Sequence, residues 1–143
     1  MHIFAMNYRE CDPKGCGHYG ASRGTRKHNG VDMACPPETK VQSPVRGYVT
    51  KLGHPYADDL SYRYVQITAE KYRFRLFYLE PSVSVGDVVE LGGEIGTSQG
   101  LGEKHGASIT EHVHLEIMDE HGGYVDPTPV IVALRSTLGR TVV

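Results

Sequence analysis

Between Glu111 and Met118 the chain alternates without a break. Val113, Leu115 and Ile117 fall on one side, and His112, His114 and Glu116 on the other. A period of two over this length specifies a strand with one buried face, and it sends both imidazoles off the same face, one pleat apart. Two histidines aimed at one spot make a poor core and a good site.

Other runs of the same kind lie near Val31–Met33, Gly47–Leu52, Tyr62–Thr68, Tyr72–Leu79, Val88–Leu91 and Glu94–Thr97. Seventeen glycines and eight prolines punctuate them. Short strands separated by turn signals at this spacing predict a mainly β, mostly antiparallel domain. In Tyr72–Leu79 the alternation sets Tyr72, Phe74, Leu76 and Tyr78 on one face and Arg73, Arg75 and Phe77 on the other, so that strand is expected to be half buried. Pro129–Thr137 reads as the one helix. Arg9–Lys27, His54–Ser61 and Gln99–Thr110 are rich in turn formers and polar residues, and are expected to be mobile loops that rim a cleft. At 143 residues the chain fits one domain, residues 1–143, with a core over about 11–129 and a C-terminal extension over 130–143.

His28-Asn29-Gly30-Val31-Asp32 supplies the partners for the histidine strand. Residues spaced as His28 and Asp32 share a face on a helical turn or on a strand, and Gly30 with β-branched Val31 favours the extended option. Two histidines and an aspartate form a mixed nitrogen and oxygen set suited to Zn²⁺. Three ligands leave a fourth position for water, the arrangement of a catalytic rather than a structural site. Glu116, on the face of His114, is placed to orient a ligand imidazole, though an exposed strand charge is the commoner meaning. His2, His54 and His121 stand in terminal or turn-like surroundings and are expected in solvent; His18 and His105 lie in segments able to approach a site.

The formal charge of −2 gives no electrostatic case for nucleic acid or an anionic membrane, and no apolar stretch is long enough to span a bilayer. Met1–Glu10 reaches Arg9 and Glu10 before any apolar run develops and does not read as a signal peptide, which favours an internal protein or one delivered in a phage particle or lysate. Cys11 and Cys16 flank the turn-like Asp12-Pro13-Lys14-Gly15, so a small disulfide loop is geometrically plausible in an oxidising environment; Cys35 is then left over and inert. A structural zinc site built on cysteine is the rival, and the paired spacing it wants is absent. The run Val83–Gly96 has the tight turns of a biotin or lipoate carrier but no lysine in the needed turn, and reads as compact hairpins.

In order along the chain come Gly20-Ala21-Ser22-Arg23 leading to His28-x-Gly30-x-Asp32, Val85-Gly86-Asp87-Val88, Gly92–Gly96, His112-x-His114-x-Glu116 and Val125-Asp126-Pro127-Thr128-Pro129. Together they resemble the lysostaphin/LytM family of zinc metallopeptidases over about Cys11 to Pro129. The resemblance implies a compact antiparallel sheet whose long loops form a zinc groove. It also implies Zn²⁺ on His28, Asp32 and His114, a catalytic His112, and endopeptidase cleavage of peptidoglycan in stem-peptide cross-links or glycine-rich bridges. One position departs from that family. In Leu76-Phe77-Tyr78-Leu79, Tyr78 stands where a second catalytic histidine is expected. A phenol of pKa ~10 is no general base near neutrality, but it can donate a hydrogen bond to an oxyanion.

The same residue, with Cys11–Tyr19, His28-x-Gly30-Val31-Asp32-x-x-Cys35 and His112-Val113-His114, resembles the vertebrate leukocyte cell-derived chemotaxin branch. That branch keeps the metal ligands, is regarded as non-catalytic, and supports a Cys11–Cys16 bridge. The expected function is therefore a zinc metalloendopeptidase with His112 and Tyr78 as catalytic groups. Its expected partner is bacterial peptidoglycan peptide, with a phage tail or cell-envelope assembly as a further association. The alternative is a zinc-binding pseudo-enzyme that recognises a wall fragment or a protein.

Overall fold

Each run in which β-branched and aromatic residues alternate with polar ones becomes a strand, and the sheets they build set the geometry of everything else. The computed structural model describes residues 2–139. A 3-10 turn at Ile3–Ala5 is followed by β1 (Ser22–Arg23), β2 (Arg26–Lys27), β3 (Val31–Ala34), β4 (Lys40–Gln42), β5 (Gly47–Gly53), β6 (Tyr64–Ala69), β7 (Tyr72–Phe77), β8 (Leu79–Pro81), β9 (Val88–Val89) and β10 (Glu94–Ser98). The short helix α1 (Gly102–His105), β11 (His112–Met118), β12 (Tyr124–Val125) and the helix α2 (Thr128–Gly139) complete the order.

The main sheet runs β12-β11-β7-β6-β5-β9, with antiparallel pairing throughout. β7 takes one edge of β11, while β3 and β12 share the other, β3 against His112–Leu115 and β12 against Ile117–Met118. A second sheet, β4-β10-β8, packs beside it, and β1 and β2 form a separate hairpin. The mainly β, antiparallel expectation holds.

The core holds Val31, Met33, Val65, Ile67, Leu76, Val113 and Leu115 from the main sheet and Val41, Leu79 and Ile95 from the second. It runs past both ends of the 11–129 span expected from sequence, because Ile3, Phe4, Ile131 and Leu134 belong to the same buried cluster. Arg135 ties the two ends together by donating to the carbonyls of Phe4 and Met6, each at 2.7 Å. α2 thus begins and ends close to the expected Pro129–Thr137 helix and packs as part of the domain; residues 140–143 of the expected extension lie outside the described residues. No helix among the described residues is long and apolar enough to cross a membrane.

Three departures have physical causes. The strand expected over Tyr62–Thr68 begins at Tyr64, and that expected over Val88–Leu91 stops at Val89, where Gly93 N–H bonds Glu90 O at 2.9 Å and closes a turn. Arg9–Lys27 is a tied structure as well as a rim. It contains the β1–β2 hairpin, a Cys11–Cys16 disulfide, and a tight loop in which Asp12 and Gly15 exchange both backbone hydrogen bonds at 3.0 Å. The third departure concerns Tyr78. Simple alternation sets it on the core face beside Phe74 and Leu76. Instead its φ of 72° breaks the strand, and the N–H groups of Tyr78 and Leu79 both reach Arg63 O, at 2.8 and 3.3 Å. The extra residue is a bulge: it hands the core position to Leu79 and swings the phenol to the opposite side.

Candidate metal centre and cleft

Sheet register builds the centre. In the β3–β11 pair Asp32 lies directly opposite His114, and on the other edge of β11 Phe77 lies opposite His114 and Arg75 opposite Glu116. Cross-strand neighbours on one face are about 4.5–5.5 Å apart at Cβ, so this register alone brings a carboxylate to an imidazole. His28 arrives from the turn before β3. That turn demands glycine at position 30, because a Cβ there would lie 2.2 Å from Leu115 O and 2.7 Å from His114 Cε1.

The three expected ligands converge. His28 Nε2 is 3.1 Å from Asp32 Oδ1, His114 Nδ1 is 2.9 Å from the same oxygen, and the two ring nitrogens are 3.0 Å apart. A tetrahedral zinc with bonds of about 2.0–2.1 Å has ligand–ligand edges of roughly 3.3 Å, close to this triangle. Each candidate ligand is held from behind. His28 Nδ1–H donates to His18 O at 2.9 Å, His114 Nε2–H to Glu116 Oε1 at 2.9 Å, and Asp32 Oδ2 accepts from Arg9 Nη1 at 2.9 Å. With their outer nitrogens committed as donors, both imidazoles turn lone pairs inward beside a carboxylate oxygen, an arrangement that a cation satisfies. Burial opposes charge on His114, yet Asp32 and Glu116 on either side more than offset it and raise its pKa to about 9. A proton or a metal ion between those groups meets the same demand, and the residues fit Zn²⁺.

His112 lies one pleat away, buried, with Nδ1–H donating to Thr110 O at 2.7 Å and Nε2 at 3.5 Å from Asp32 Oδ2. Nδ1 is thereby committed as a donor, and Nε2 is free to accept. Burial keeps His112 below the ordinary histidine pKa, so it is neutral near pH 7. Tyr78 meets it edge to face at 5.5 Å and stacks on Tyr56 at 6.1 Å, and Tyr56 Oη lies 2.8 Å from His105 Nε2. Burial first, then Tyr56 beside it, push the Tyr78 phenol well above its usual pKa, so it remains a hydrogen-bond donor.

These groups open into a cleft of about 500 Å³. All three rim segments expected from sequence contribute to it: Arg9, Lys14, Arg23 and Arg26 from the first, Pro55 and Tyr56 from the second, Leu101, His105 and Ile109 from the third. Sequence reasoning missed the backing residues Arg9 and Asp12. Arg9 grips Asp12 through Nε and Nη2, at 2.9 and 2.7 Å, while its remaining nitrogen holds Asp32. Nothing local signals such a contact across 23 residues. Glu116, most simply an exposed strand charge, is buried against His114. His2 is a correction: both its ring nitrogens are buried and lack a partner among the described residues, because it packs beside Phe4. His54 and His121 are exposed as expected, and His18 contributes only its carbonyl.

With this geometry in place, the family described as "Peptidase family M23" matches residues 26–127, from β2 to Pro127, which include His28, Asp32, His112 and His114. The chain belongs to peptidase family M23. Among M23-like proteins it is similar to leukocyte cell-derived chemotaxin-2 of Mus musculus, 31% identical over 121 residues, covering 84% of this chain and 76% of that one. The solved structure of LytU matches at 27% identity with a TM-score of 0.65, over 90% of this chain and 86% of LytU. The catalytic domain of the antimicrobial peptidase lysostaphin from Staphylococcus simulans matches at 25% identity and a TM-score of 0.64, over 82% of this chain and 89% of that domain. The resemblance read from the motifs, and the antiparallel fold it implied, both stand.

Proposed function

We propose that this M23 chain is a zinc metalloendopeptidase that cleaves peptide in bacterial peptidoglycan. One observation carries the reading: three donor atoms lie within about 3 Å of one another in the lining of a cleft, beside a neutral histidine whose Nε2 comes within 3.5 Å of Asp32 Oδ2. His28, Asp32 and His114 would hold the metal. Zinc bound there supplies Lewis acidity, polarising a carbonyl and lowering the pKa of water toward ~7. His112 Nε2 accepts the proton of the attacking water and returns it to the leaving amine nitrogen. Its Nδ1–H bond to Thr110 O fixes the ring for that exchange. The Tyr78 phenol, kept protonated, donates to the carbonyl oxygen as negative charge gathers on it. Arg9 stabilises the Asp32 carboxylate without reaching the reacting bond. The cell envelope, reached by secretion, by lysis or on a phage particle, is the site of action this reading requires.

The test is release of free amines from purified peptidoglycan by the zinc-loaded protein, with fragments read by mass spectrometry. Release that disappears in His114→Ala, and falls about 10²–10⁴-fold in His112→Ala while zinc remains stoichiometric, is the expected result. Zinc loss in His112→Ala would overturn the division of roles.

A specific observation favours a second reading. Tyr78 stands where the resemblance to the lysostaphin/LytM family implies a histidine, and the chain is similar to chemotaxin-2 as well as to LytU. Under that reading the protein is a zinc-stabilised binding module for a wall fragment or a protein. Chelation would then lower its melting temperature, and no wall preparation would be cut.

A further inference from the structure

Five cationic side chains line the cleft, against the two carboxylates of Asp32 and Glu116, in a chain whose formal charge is −2. Two of the five are internally matched. Arg9 pairs with Asp12 and Asp32, and Arg75 lies 3.7 Å from Glu116 and donates to Gln66 at 2.8 Å. The other three, Lys14, Arg23 and Arg26, come from the disulfide loop and the β1–β2 hairpin, on the Asp32 side of the centre.

Arg23 is the informative member. Its side chain is only 15% exposed, yet its nitrogens donate to neutral carbonyls, Cys16 O at 2.6 Å and Ser22 O at 3.1 Å. The nearest carboxylate oxygen, Asp32 Oδ2, is 3.6 Å away and already engaged by Arg9 at 2.9 Å. The disulfide loop is shaped to receive this guanidinium, since a Cβ on Gly15 would lie 2.6 Å from Arg23 Nη1 and 2.8 Å from Cζ. Arg26 faces it across the hairpin register, and neither Arg26 nor Lys14 has an ion-pair partner among the described residues. A solvated face explains exposed lysines and arginines; it does not explain a mostly buried guanidinium beside Arg26 whose nearest carboxylate oxygen, at 3.6 Å, is shared with the closer Arg9. A bound anion would complete it, and a planar carboxylate matches the arginine fork.

We infer that Arg23, Arg26 and Lys14 form a subsite for a carboxylate carried by the substrate peptide, within about two residues of the scissile bond. That span follows from about 3.3–3.6 Å of extended chain per residue and from the contact distance of Arg23 to the ligand Asp32. The inference rests on the peptidase reading and narrows it: peptides bearing free carboxylates are taken, and uncharged glycine bridges are poor substrates.

The experiment compares cross-linked muropeptides bearing free carboxyl groups with the same fragments converted to carboxamides. Zinc-loaded protein should favour the free carboxylates by about 10- to 100-fold in kcat/KM, the range of a charge-assisted hydrogen bond. Arg26→Gln, an exposed change that leaves the fold intact, should bring the ratio most of the way to one, and Arg23→Gln should do so more completely. Equal cleavage of both fragments, or a ratio unmoved by both substitutions, overturns the subsite. If neither fragment is cut, calorimetry on the same pair decides. Preferential binding of the carboxylate form, lost in Arg26→Gln, sustains the subsite while the peptidase reading falls; equal binding, or none, overturns the subsite.

Discussion

Asp12 and His112 are joined through the backbone of a single residue, Thr110. Asp12 Oδ2 accepts the N–H of Thr110 at 2.8 Å, and the carbonyl of Thr110 accepts from His112 Nδ1 at 2.7 Å. The same carboxylate grips Arg9, which holds the outer oxygen of Asp32. One loop residue, closed in by the Cys11–Cys16 disulfide, therefore orients both a candidate metal ligand and the candidate base. Asp12→Asn keeps the shape and removes the charge that anchors Arg9. Outer-sphere partners of this kind are worth about 10–100-fold in metal affinity or activity. Zinc affinity, measured by competition with a chromophoric chelator, should fall by about tenfold or more in Asp12→Asn. An affinity equal to that of the parent protein would show that the Arg9 link does not reach the ligand set.

The same residue sets an acid limit. Burial pushes Asp12 upward, but the Arg9 guanidinium and the N–H groups of Thr110 and Lys14 outweigh it, leaving its pKa well below the usual carboxylate range. Its unfolded value is ~3.9. A carboxyl whose folded pKa is depressed contributes stability that is fully present above the unfolded pKa and is lost as pH falls toward the folded one. Metal-free protein should therefore lose melting temperature steeply below about pH 4. Asp12→Asn should start lower and fall less steeply over that interval, as followed by circular dichroism. Parallel curves for the two proteins would deny Asp12 this role.

Local pattern and non-local contact divide what could be read from the chain. The period of two in β11 fixed which face carries His112, His114 and Glu116, and the spacing of His28 and Asp32 around Gly30 gave the rest of the candidate ligand set, because both are properties of adjacent residues. Register was invisible: nothing in Tyr72–Phe77 says that Phe77 rather than Arg75 sits opposite His114. Tyr78 defeated the alternation because its backbone geometry is imposed by Arg63, fifteen residues earlier and just before β6. Arg9 and Asp12 carried no signal, since a lone arginine and a turn aspartate are ordinary until the fold closes them on Asp32. The helix over 128–139 was legible, but not that it buries Ile131 and Leu134 in the common core.

Gly30 couples packing to the candidate metal centre. A methyl group there would press on Leu115 O and on the His114 ring, 2.2 and 2.7 Å from the new carbon. Because both contacts belong to the central strand, relief requires the turn bearing His28 to move away. Gly30→Ala should cost about 1–3 kcal/mol in denaturant unfolding of the metal-free protein, the usual range for overpacking. It should also weaken zinc binding in the chelator competition. Lower stability with undiminished zinc affinity would mean that His28 follows the displacement and that the turn does not set the ligand geometry.

Tyr78 decides between slow chemistry and none. Its left-handed backbone conformation carries a cost of order 1–3 kcal/mol and persists only because the N–H to Arg63 O and the carbonyl to Gln99 N–H, both at 2.8 Å, hold it there. The outcome of that strain is a protonated phenol in edge-to-face contact with His112. If the phenol donates to the developing oxyanion, Tyr78→Phe removes one donor and should lower kcat by about 10²–10³-fold with little change in KM. Full activity in Tyr78→Phe would eliminate that role. Tyr78→His supplies the complementary measurement: a loss relative to the parent protein fits a phenol already engaged in the reaction. Cleavage that appears only with histidine would place the parent chain among binding modules, with the metal centre kept for stability rather than for chemistry.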